Sequence, residues 1–281
     1  MSQPPNHSTT PGRDADVTLS DLPPGKVTPG HATKPTARAV GTIPVVGSFV
    51  GLLAGVLSTR ETYESVQAGR GAAAFDEPVQ AWMVAHRTPW LDTAATWFTN
   101  LGGKVGMTIL ATLTVLTLAR WWRTWTPIVV MVWATAGSLT MTTVGKDLTA
   151  RARPPAEQAV PPLETSPSFP SGHTLNAVLI TSIVAYLVLL YVRSRRGRVL
   201  TCVGLAGFAG LMGLSRVYLG HHWLTDVLAG AAVGGAWALA VILGHWLYVR
   251  LRTMDRAPTV RDVAQDHRDE VDTEVDTKVA D

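Results

Sequence analysis

Apolar residues dominate six long runs of this 281-residue chain, and polar segments separate the runs. The runs contain no Asp, Glu, Lys or Arg and cover residues 39–59, 105–119, 124–145, 174–192, 199–215 and 227–249. About 20 apolar residues cross the hydrocarbon core of a bilayer as a helix, and flanking residues can extend the shorter runs. The pattern therefore predicts an all-α polytopic membrane protein with a bundle of six transmembrane helices.

The connection between the first two runs, residues 60–103, has a different pattern. Apolar and polar positions mix at helical spacing over residues 75–92, which predicts a helix lying at the membrane interface. Trp82, Trp90 and Trp97 are typical of side chains that anchor a segment at that depth.

Both ends of the chain are polar. Residues 1–38 are rich in Pro, Ser, Thr and Gly, and residues 255–281 mix Asp, Glu and Thr with single valines. Neither composition can bury enough apolar surface to offset the entropy of folding, so both tails are predicted to be disordered. Residues 39–254 remain as the membrane domain, and we assign the tails no chemistry.

Arginines cluster at one set of connections, within residues 120–123, 193–198 and 250–256. In a six-helix serpentine these clusters lie on the same side of the membrane, together with both termini. The positive-inside rule places that side in the cytoplasm. The other polar connections, at residues 146–173 and 216–226, are then predicted to face the outside of the cell membrane.

Composition excludes several other kinds of site. The single cysteine, Cys202, lies inside an apolar run, so neither an intrachain disulfide nor a CxxC zinc site can form. The formal net charge is only +3, and the arginines gather at the ends of apolar runs, which disfavours nucleic-acid binding. The sequence also lacks the motifs of P-loop nucleotidases, zinc proteases and serine esterases.

The connection before the last run holds a histidine and an aspartate at helical spacing. His222 and Asp226 are four residues apart, so a helix would place them on one face. The carboxylate can then hold one imidazole nitrogen and leave the other free, which is how an imidazole nucleophile or base is arranged. The same spacing also occurs in ordinary hydrogen bonds on helix surfaces, so the pair needs support from other segments.

Two upstream segments supply that support. Lys146 and Arg153 follow an apolar run, where two cations favour a bound anion, although long basic side chains also extend there merely to reach water. In the next segment Pro170 ends the preceding backbone conformation, Ser171 can cap a helix that begins there, and Gly172 permits close approach of the backbone. A helix N-terminus of this kind presents free N–H groups to phosphate.

Together the three segments resemble the type 2 phosphatidic acid phosphatase superfamily, whose pattern is Lys-x6-Arg-Pro, Pro-Ser-Gly-His and Ser-Arg-x5-His-x3-Asp. The matching stretches are residues 146–154, 170–173 and 215–226, in this order and with the same internal spacing. His221 adjoins the motif histidine, but the spacing selects His222. We expect His221 to be structural or adjacent to the substrate.

The resemblance implies a metal-independent phosphohydrolase without a cofactor. His222 would attack phosphorus and carry the phosphoryl group, while Asp226 would fix the tautomer of His222. His173 would protonate the leaving oxygen and then activate water. The implied phosphate-binding residues are Lys146, Arg153, Ser171, Gly172 and Arg216. A magnesium site needs carboxylates aimed at the phosphate, and Asp147 and Glu164 have no spacing that places them together.

A site at the outer interface favours a lipid substrate whose phosphate reaches water while its chains stay in the bilayer. By family resemblance a polyprenyl diphosphate comes first, with phosphatidic acid, phosphatidylglycerol phosphate and diacylglycerol pyrophosphate as alternatives. Two other classes of protein compete with a lipid phosphatase. One is a vanadium haloperoxidase, which six membrane spans disfavour. The other is a non-enzymatic lipid transporter, which needs a continuous polar pathway, whereas the charges here gather at one interface.

The loop between the first two motif segments, two charged residues near it and the oligomeric state remain to be considered. The proline-rich loop of residues 155–169 either gates the site or merely connects two helices. Asp147 is expected only to pair with Lys146 or Arg153, and Arg151 only to face water or lipid headgroups. The oligomeric state has no signal in the sequence.

Overall fold

The computed structural model describes residues 45–254, and within this range the chain forms eight α-helices, two short 3₁₀ turns and no strand. The helices are α1 (Val45–Ala68), α2 (Asp76–Ala85), α3 (Pro89–Leu101), α4 (Lys104–Trp122), α5 (Thr126–Thr149), α6 (Gly172–Leu189), α7 (Arg195–Tyr218) and α8 (Leu224–Met254). The all-α fold expected from the sequence is thus confirmed. The predicted tails, residues 1–38 and 255–281, lie outside the described residues.

Five helices of the described part are long and apolar enough to cross a membrane, namely α4 to α8. They correspond to the last five of the six predicted spans. The helix α1 corresponds to the first, but it is not among the five, because Arg60, Glu61 and Glu64 lie in its C-terminal half. The predicted first run also includes residues 39–44, which lie outside the described part.

The last helix of the bundle approaches its neighbours closely through small residues. The helix α8 packs against α1, α5, α6 and α7. A Cβ on Gly55 would stand 2.8 Å from Ala236 Cβ, and a Cβ on Gly234 would stand 2.5 Å from the carbonyl oxygen of Leu175. Neither space admits a larger residue, and such close backbone contacts are the usual basis of helix association in membranes.

The interfacial segment forms two short helices, α2 and α3, where the sequence predicted one. They separate because Thr88 is extended and Pro89 opens the second helix. Trp82, Trp90 and Trp97 are 57%, 71% and 73% exposed, as expected of interfacial anchors. Arg87, in the connection, donates to the carbonyl oxygen of Tyr218 at the end of α7, which ties this pair of helices to the bundle.

One end of the bundle gathers the three polar segments found in the sequence. There α5 ends, α6 begins, α7 ends and α8 begins. The backbone N–H of Ser171 donates to the carbonyl oxygen of Asp226 at 3.0 Å, and that of Ser168 donates to the carbonyl oxygen of Arg151 at 2.9 Å. Backbone hydrogen bonds therefore lock the three segments together before any side chain is considered.

Candidate active site

The turn between α7 and α8 positions His222. Gly220 adopts a positive φ of 74°, and a Cβ there would meet the Gln158 carbonyl oxygen at 2.7 Å, so only glycine fits. His222 lies in this turn and Asp226 in the first turn of α8, so the two do not share one continuous helix as the spacing suggested. The pairing itself is present, because His222 Nδ1 lies 3.4 Å from Asp226 Oδ2.

Asp226 is fully buried and lies on the Nδ1 side of the His222 ring. Its Oδ2 also accepts hydrogen bonds from the Ser168 hydroxyl and, at 2.9 Å, from the Trp223 backbone N–H. A carboxylate at a helix N-terminus is further stabilised by the helix dipole. Asp226 is therefore fixed as an anion that faces the Nδ1 side of the imidazole.

The other imidazole nitrogen faces a cation. Arg153 Nη1 donates to His222 Nε2 at 3.3 Å, which leaves Nε2 unprotonated and puts the proton on Nδ1, towards Asp226. Burial lowers the pKa of His222 to about 4, although the hydrogen bond to Asp226 and its charge oppose the shift. His222 is consequently a neutral imidazole at physiological pH, with the Nε2 lone pair directed at the arginine.

The two cations of the first segment converge on one short stretch of the loop. Lys146 Nζ donates to Ser166 Oγ at 2.7 Å and to the Pro167 carbonyl oxygen at 2.8 Å. Arg153 donates from Nε to the Ser166 carbonyl oxygen at 2.7 Å and from Nη2 to Ser166 Oγ at 3.2 Å. Lys146 and Arg153 thus share one hydroxyl group, as two ligands of a single anion would.

Arg216, the cation of the third segment, is 1% exposed and lies on the last turn of α7. Its Nη1 donates to Thr99 Oγ1 of α3 at 3.0 Å, and its Nη2 pairs with Glu164 Oε1. Arg153 Nη2 pairs with the other carboxylate oxygen, Oε2, at 2.8 Å. Burial raises the pKa of Glu164, but the charges of Arg216 and Arg153 outweigh this effect and lower it to about 2.

The second segment begins α6 as predicted, with Ser171 at the N-cap position. Its hydroxyl does not cap the helix backbone; instead it accepts a hydrogen bond from Thr174 Oγ1 at 3.0 Å. Gly172 packs against α5, since a Cβ there would lie 3.2 Å from Thr142 Cγ2. His173 is half-buried beside Gly103, where a Cβ would lie 3.6 Å from His173 Nε2.

Arg151 corrects one expectation, because it does not face water or headgroups. Its side chain is only 16% exposed, and Nη1 donates to Asp226 Oδ1 at 2.6 Å and to Thr225 Oγ1 at 2.8 Å. Its Nη2 pairs with Asp76 Oδ2 of α2, also at 2.6 Å. The planar guanidinium bridges two buried carboxylates, a geometry that a solvated surface arginine does not need.

Comparison with known proteins places this geometry in a family. Residues 125–250 match the family model of the PAP2 superfamily. Phosphatidylglycerophosphatase B of Bacillus subtilis (strain 168) is 32% identical to the chain over 162 residues, which make up 57% of this chain and 77% of that protein. The chain belongs to the PAP2 superfamily. Lipid phosphate phosphatase delta of Arabidopsis thaliana is 34% identical over 92 residues, or 31% of this chain and 20% of that protein.

A solved structure has the same fold. The transmembrane PAP2 type phosphatidylglycerolphosphate phosphatase from Bacillus subtilis aligns with a TM-score of 0.57 and 26% identity, over 76% of this chain and 97% of that one. With five apolar helices among its described residues, the chain is therefore a multi-pass membrane protein and a PAP2-type lipid phosphatase.

Two residues in this PAP2 site escaped the sequence argument. Arg151 lies two positions before Arg153, but its partner Asp76 is distant in sequence, so no local spacing reveals the pair. Glu164 was considered only as a magnesium ligand. In the described part of the chain, no group of three or more His, Cys, Asp or Glu side chains has the arrangement of a metal site.

His221 and Asp147 also have defined places in the PAP2 fold. His221 Nε2 donates to the carbonyl oxygen of Val160 at 2.7 Å, and the backbone N–H of Val160 donates to Leu219, so the loop is fastened to the turn. This contact fits a structural role, one of the two roles expected for His221. Asp147 is exposed, and Arg153, one of its two expected partners, pairs with Glu164 instead.

Proposed function

We propose that the protein hydrolyses lipid phosphates or diphosphates through a phosphohistidine on His222, without a metal ion. The observation that carries this proposal is the two-sided environment of the imidazole. Asp226 faces Nδ1 at 3.4 Å, and Arg153 faces Nε2 at 3.3 Å. A phosphoryl group drawn to Arg153 would meet the Nε2 lone pair, while Asp226 stabilises the positive charge that attack creates on the ring.

In this mechanism His173 moves the protons. His222 Nε2 forms a bond to phosphorus as the bond to the leaving oxygen breaks, and His173 protonates that oxygen. The lipid alcohol, or a lipid monophosphate when the substrate is a diphosphate, then departs. His173, now neutral, takes a proton from water, the resulting hydroxide attacks phosphorus, and inorganic phosphate leaves His222 free.

Fixed cations replace a metal in the proposed site. Lys146, Arg153 and Arg216 would neutralise the oxygens of the phosphoryl group. Ser171 and the backbone N–H of Gly172 lie at the N-terminus of α6, where further donors and the helix dipole favour an anion. Activity should therefore survive EDTA and fall with vanadate. Complete loss of activity in EDTA, restored by magnesium, would contradict the mechanism.

We propose two candidate substrates of equal rank, phosphatidylglycerol phosphate and the polyprenyl diphosphate favoured from the sequence. The name of the Bacillus subtilis relative supports the first, and 77% of that relative aligns with this chain. The test is phosphate release from a panel of these two lipids, phosphatidic acid and diacylglycerol pyrophosphate in detergent micelles. A water-soluble phosphate monoester as the best substrate of the panel would contradict a lipid phosphatase.

We further propose that the site faces outward and that both termini are cytoplasmic, in accord with the arginine clusters. Ala156 and Ser194 are both exposed, at opposite ends of the bundle. Single cysteines at these positions, in a Cys202→Ser background, should differ in intact cells. An impermeant thiol reagent should label only position 156, and labelling of position 194 alone would reverse the orientation.

A further inference from the structure

Glu164 lies between the two arginines that the proposed mechanism assigns to phosphate binding. One carboxylate oxygen pairs with Arg216 Nη2, and the other lies 2.8 Å from Arg153 Nη2. The two guanidiniums come from segments far apart in the sequence, and both contact this single anion. Paired donors from two arginines are how proteins hold a phosphate group.

The same arginine links Glu164 to the nucleophile. Arg153 contacts the carboxylate through Nη2 and His222 Nε2 through Nη1, the latter at 3.3 Å. The carboxylate therefore lies next to the reacting nitrogen and not at a remote part of the pocket. Because its pKa is held at about 2 by the neighbouring arginines despite burial, Glu164 is an anion at any physiological pH.

The surroundings of Glu164 allow it to leave. Its side chain is 29% exposed, whereas that of Arg216 is 2% exposed and that of Arg153 12%. It belongs to a stretch without helix between Val160 and Ser168, and Leu163, Thr165 and Ser166 are exposed. A local rotation of this stretch would free the two arginines without moving any helix.

We propose that Glu164 is an internal competitor for the phosphate pocket, an anion that fills the place between Arg153 and Arg216 until the substrate's phosphate displaces it. This proposal rests on the proposed function, in which these arginines bind phosphate. Glu164 thereby sets the affinity of the enzyme for every anion. The apparent dissociation constant of a ligand equals its intrinsic constant divided by the fraction of sites that are open.

Competition of this kind has a distinct signature. Because the same carboxylate must leave before any anion binds, removing its charge should raise the affinity for all anions by one common factor. A carboxylate that remained in the pocket beside the ligand would instead repel a dianion more than a monoanion. If the carboxylate merely held the arginines in place, its removal would lower the affinity for every anion.

The test uses the full-length protein in detergent and competitive inhibition by tungstate, a dianion, and dimethyl phosphate, a monoanion. Glu164→Gln keeps the shape and removes the charge. We expect both inhibition constants to fall by a common factor of about ten. Glu157→Gln is the matched control, because Glu157 is an exposed carboxylate on the same loop. It should leave both constants within about twofold, the size of effect expected for surface charges.

A second variant guards against misfolding. Glu164→Asp keeps the charge but shortens the side chain, so it should reach only one arginine well and lower both constants by a smaller common factor. Unchanged or raised constants in both Glu164 variants would overturn the proposal, and so would a factor that grows with the charge of the inhibitor. Failure of the proposed function looks different, since Arg153→Met and Arg216→Met would then leave inhibition by tungstate unaltered.

Discussion

The two ends of the helix bundle use arginine in opposite ways. At one end Arg193, Arg195, Arg196 and Arg198 surround the connection between α6 and α7, and all four are exposed. At the other end the side chains of Arg151, Arg153 and Arg216 are 16%, 12% and 2% exposed, and each is paired with a carboxylate.

This difference explains why residue type alone is a weak guide in a membrane protein. An exposed arginine at a helix end remains hydrated and contributes mainly to orientation. A buried arginine must be paired, because the desolvation of an unpaired charge is prohibitive. The buried arginines are therefore held in place by their carboxylate partners, whereas the exposed ones are not. The following predictions, from the largest effect to the smallest, test this difference between the two ends.

The largest effect is expected at the proposed nucleophile. His222→Ala should lower kcat by about 10⁴-fold or more, because in the proposed mechanism no other group forms the phosphoenzyme. His221→Ala should retain most activity, since His221 bonds to Val160 and not to Asp226. Phosphate release by the two purified variants is the measurement, and equal losses would mean that the adjacent histidines were assigned wrongly.

Removing the negative charge behind the imidazole should have the next largest effect. Asp226→Asn should lower kcat by roughly 10² to 10⁴, the range seen when a carboxylate that orients a catalytic histidine is neutralised. The loss should appear in kcat with little change in KM, because Asp226 faces Nδ1 and not the phosphate. An effect confined to KM would assign Asp226 to substrate binding instead.

The two ends of the bundle can be compared directly with one pair of substitutions. Arg151→Met leaves Asp76 and Asp226 buried without their shared partner, so the free energy of unfolding should fall by about 3 kcal/mol. Arg196→Met removes an exposed arginine, and the change should stay within about 0.5 kcal/mol. Denaturant unfolding in detergent measures both, and similar values for the two variants would remove the distinction between the ends.

The smallest predicted effect is a shift in pH dependence. Burial lowers the pKa of His222 from 6.5 to about 4, so the acid limb of kcat/KM, corrected for ionisation of the substrate, should lie nearer pH 4 than pH 6.5. The hydrogen bond from His222 to Asp226 opposes the shift, so Asp226→Asn should move the limb to lower pH. An acid limb at pH 6.5 in the unaltered protein would contradict the buried, neutral imidazole.

The same pKa has a consequence for stability. The unfolded chain binds a proton at His222 more tightly than the folded protein does. Stability therefore rises with pH between about 4 and 6.5 and is lost as the pH falls through that window.

The fold and the motif residues could be predicted from sequence because their signals are local. Each apolar run contains its own helix, and the three segments carry fixed spacings that place Lys146, His173 and His222 at one end of the bundle. The roles of Arg151 and Glu164 could not be predicted, since their partners Asp76 and Arg216 are 75 and 52 residues away in the chain. Spacing also misjudged the local structure around His222, which lies in a turn made possible by Gly220.

The most direct test of the account is to trap the phosphoenzyme. In His173→Ala the group that activates water is missing, whereas a diphosphate still offers a lipid monophosphate, a leaving group that needs little protonation. ³²P from the terminal phosphate of a labelled polyprenyl diphosphate should therefore remain on the protein, on a histidine phosphate that is labile in acid and stable in base. Peptide mapping should locate the label at His222, and the His173→Ala, His222→Ala double variant should carry none. A label on His221, a label that persists in the double variant, or the absence of any label would contradict the account.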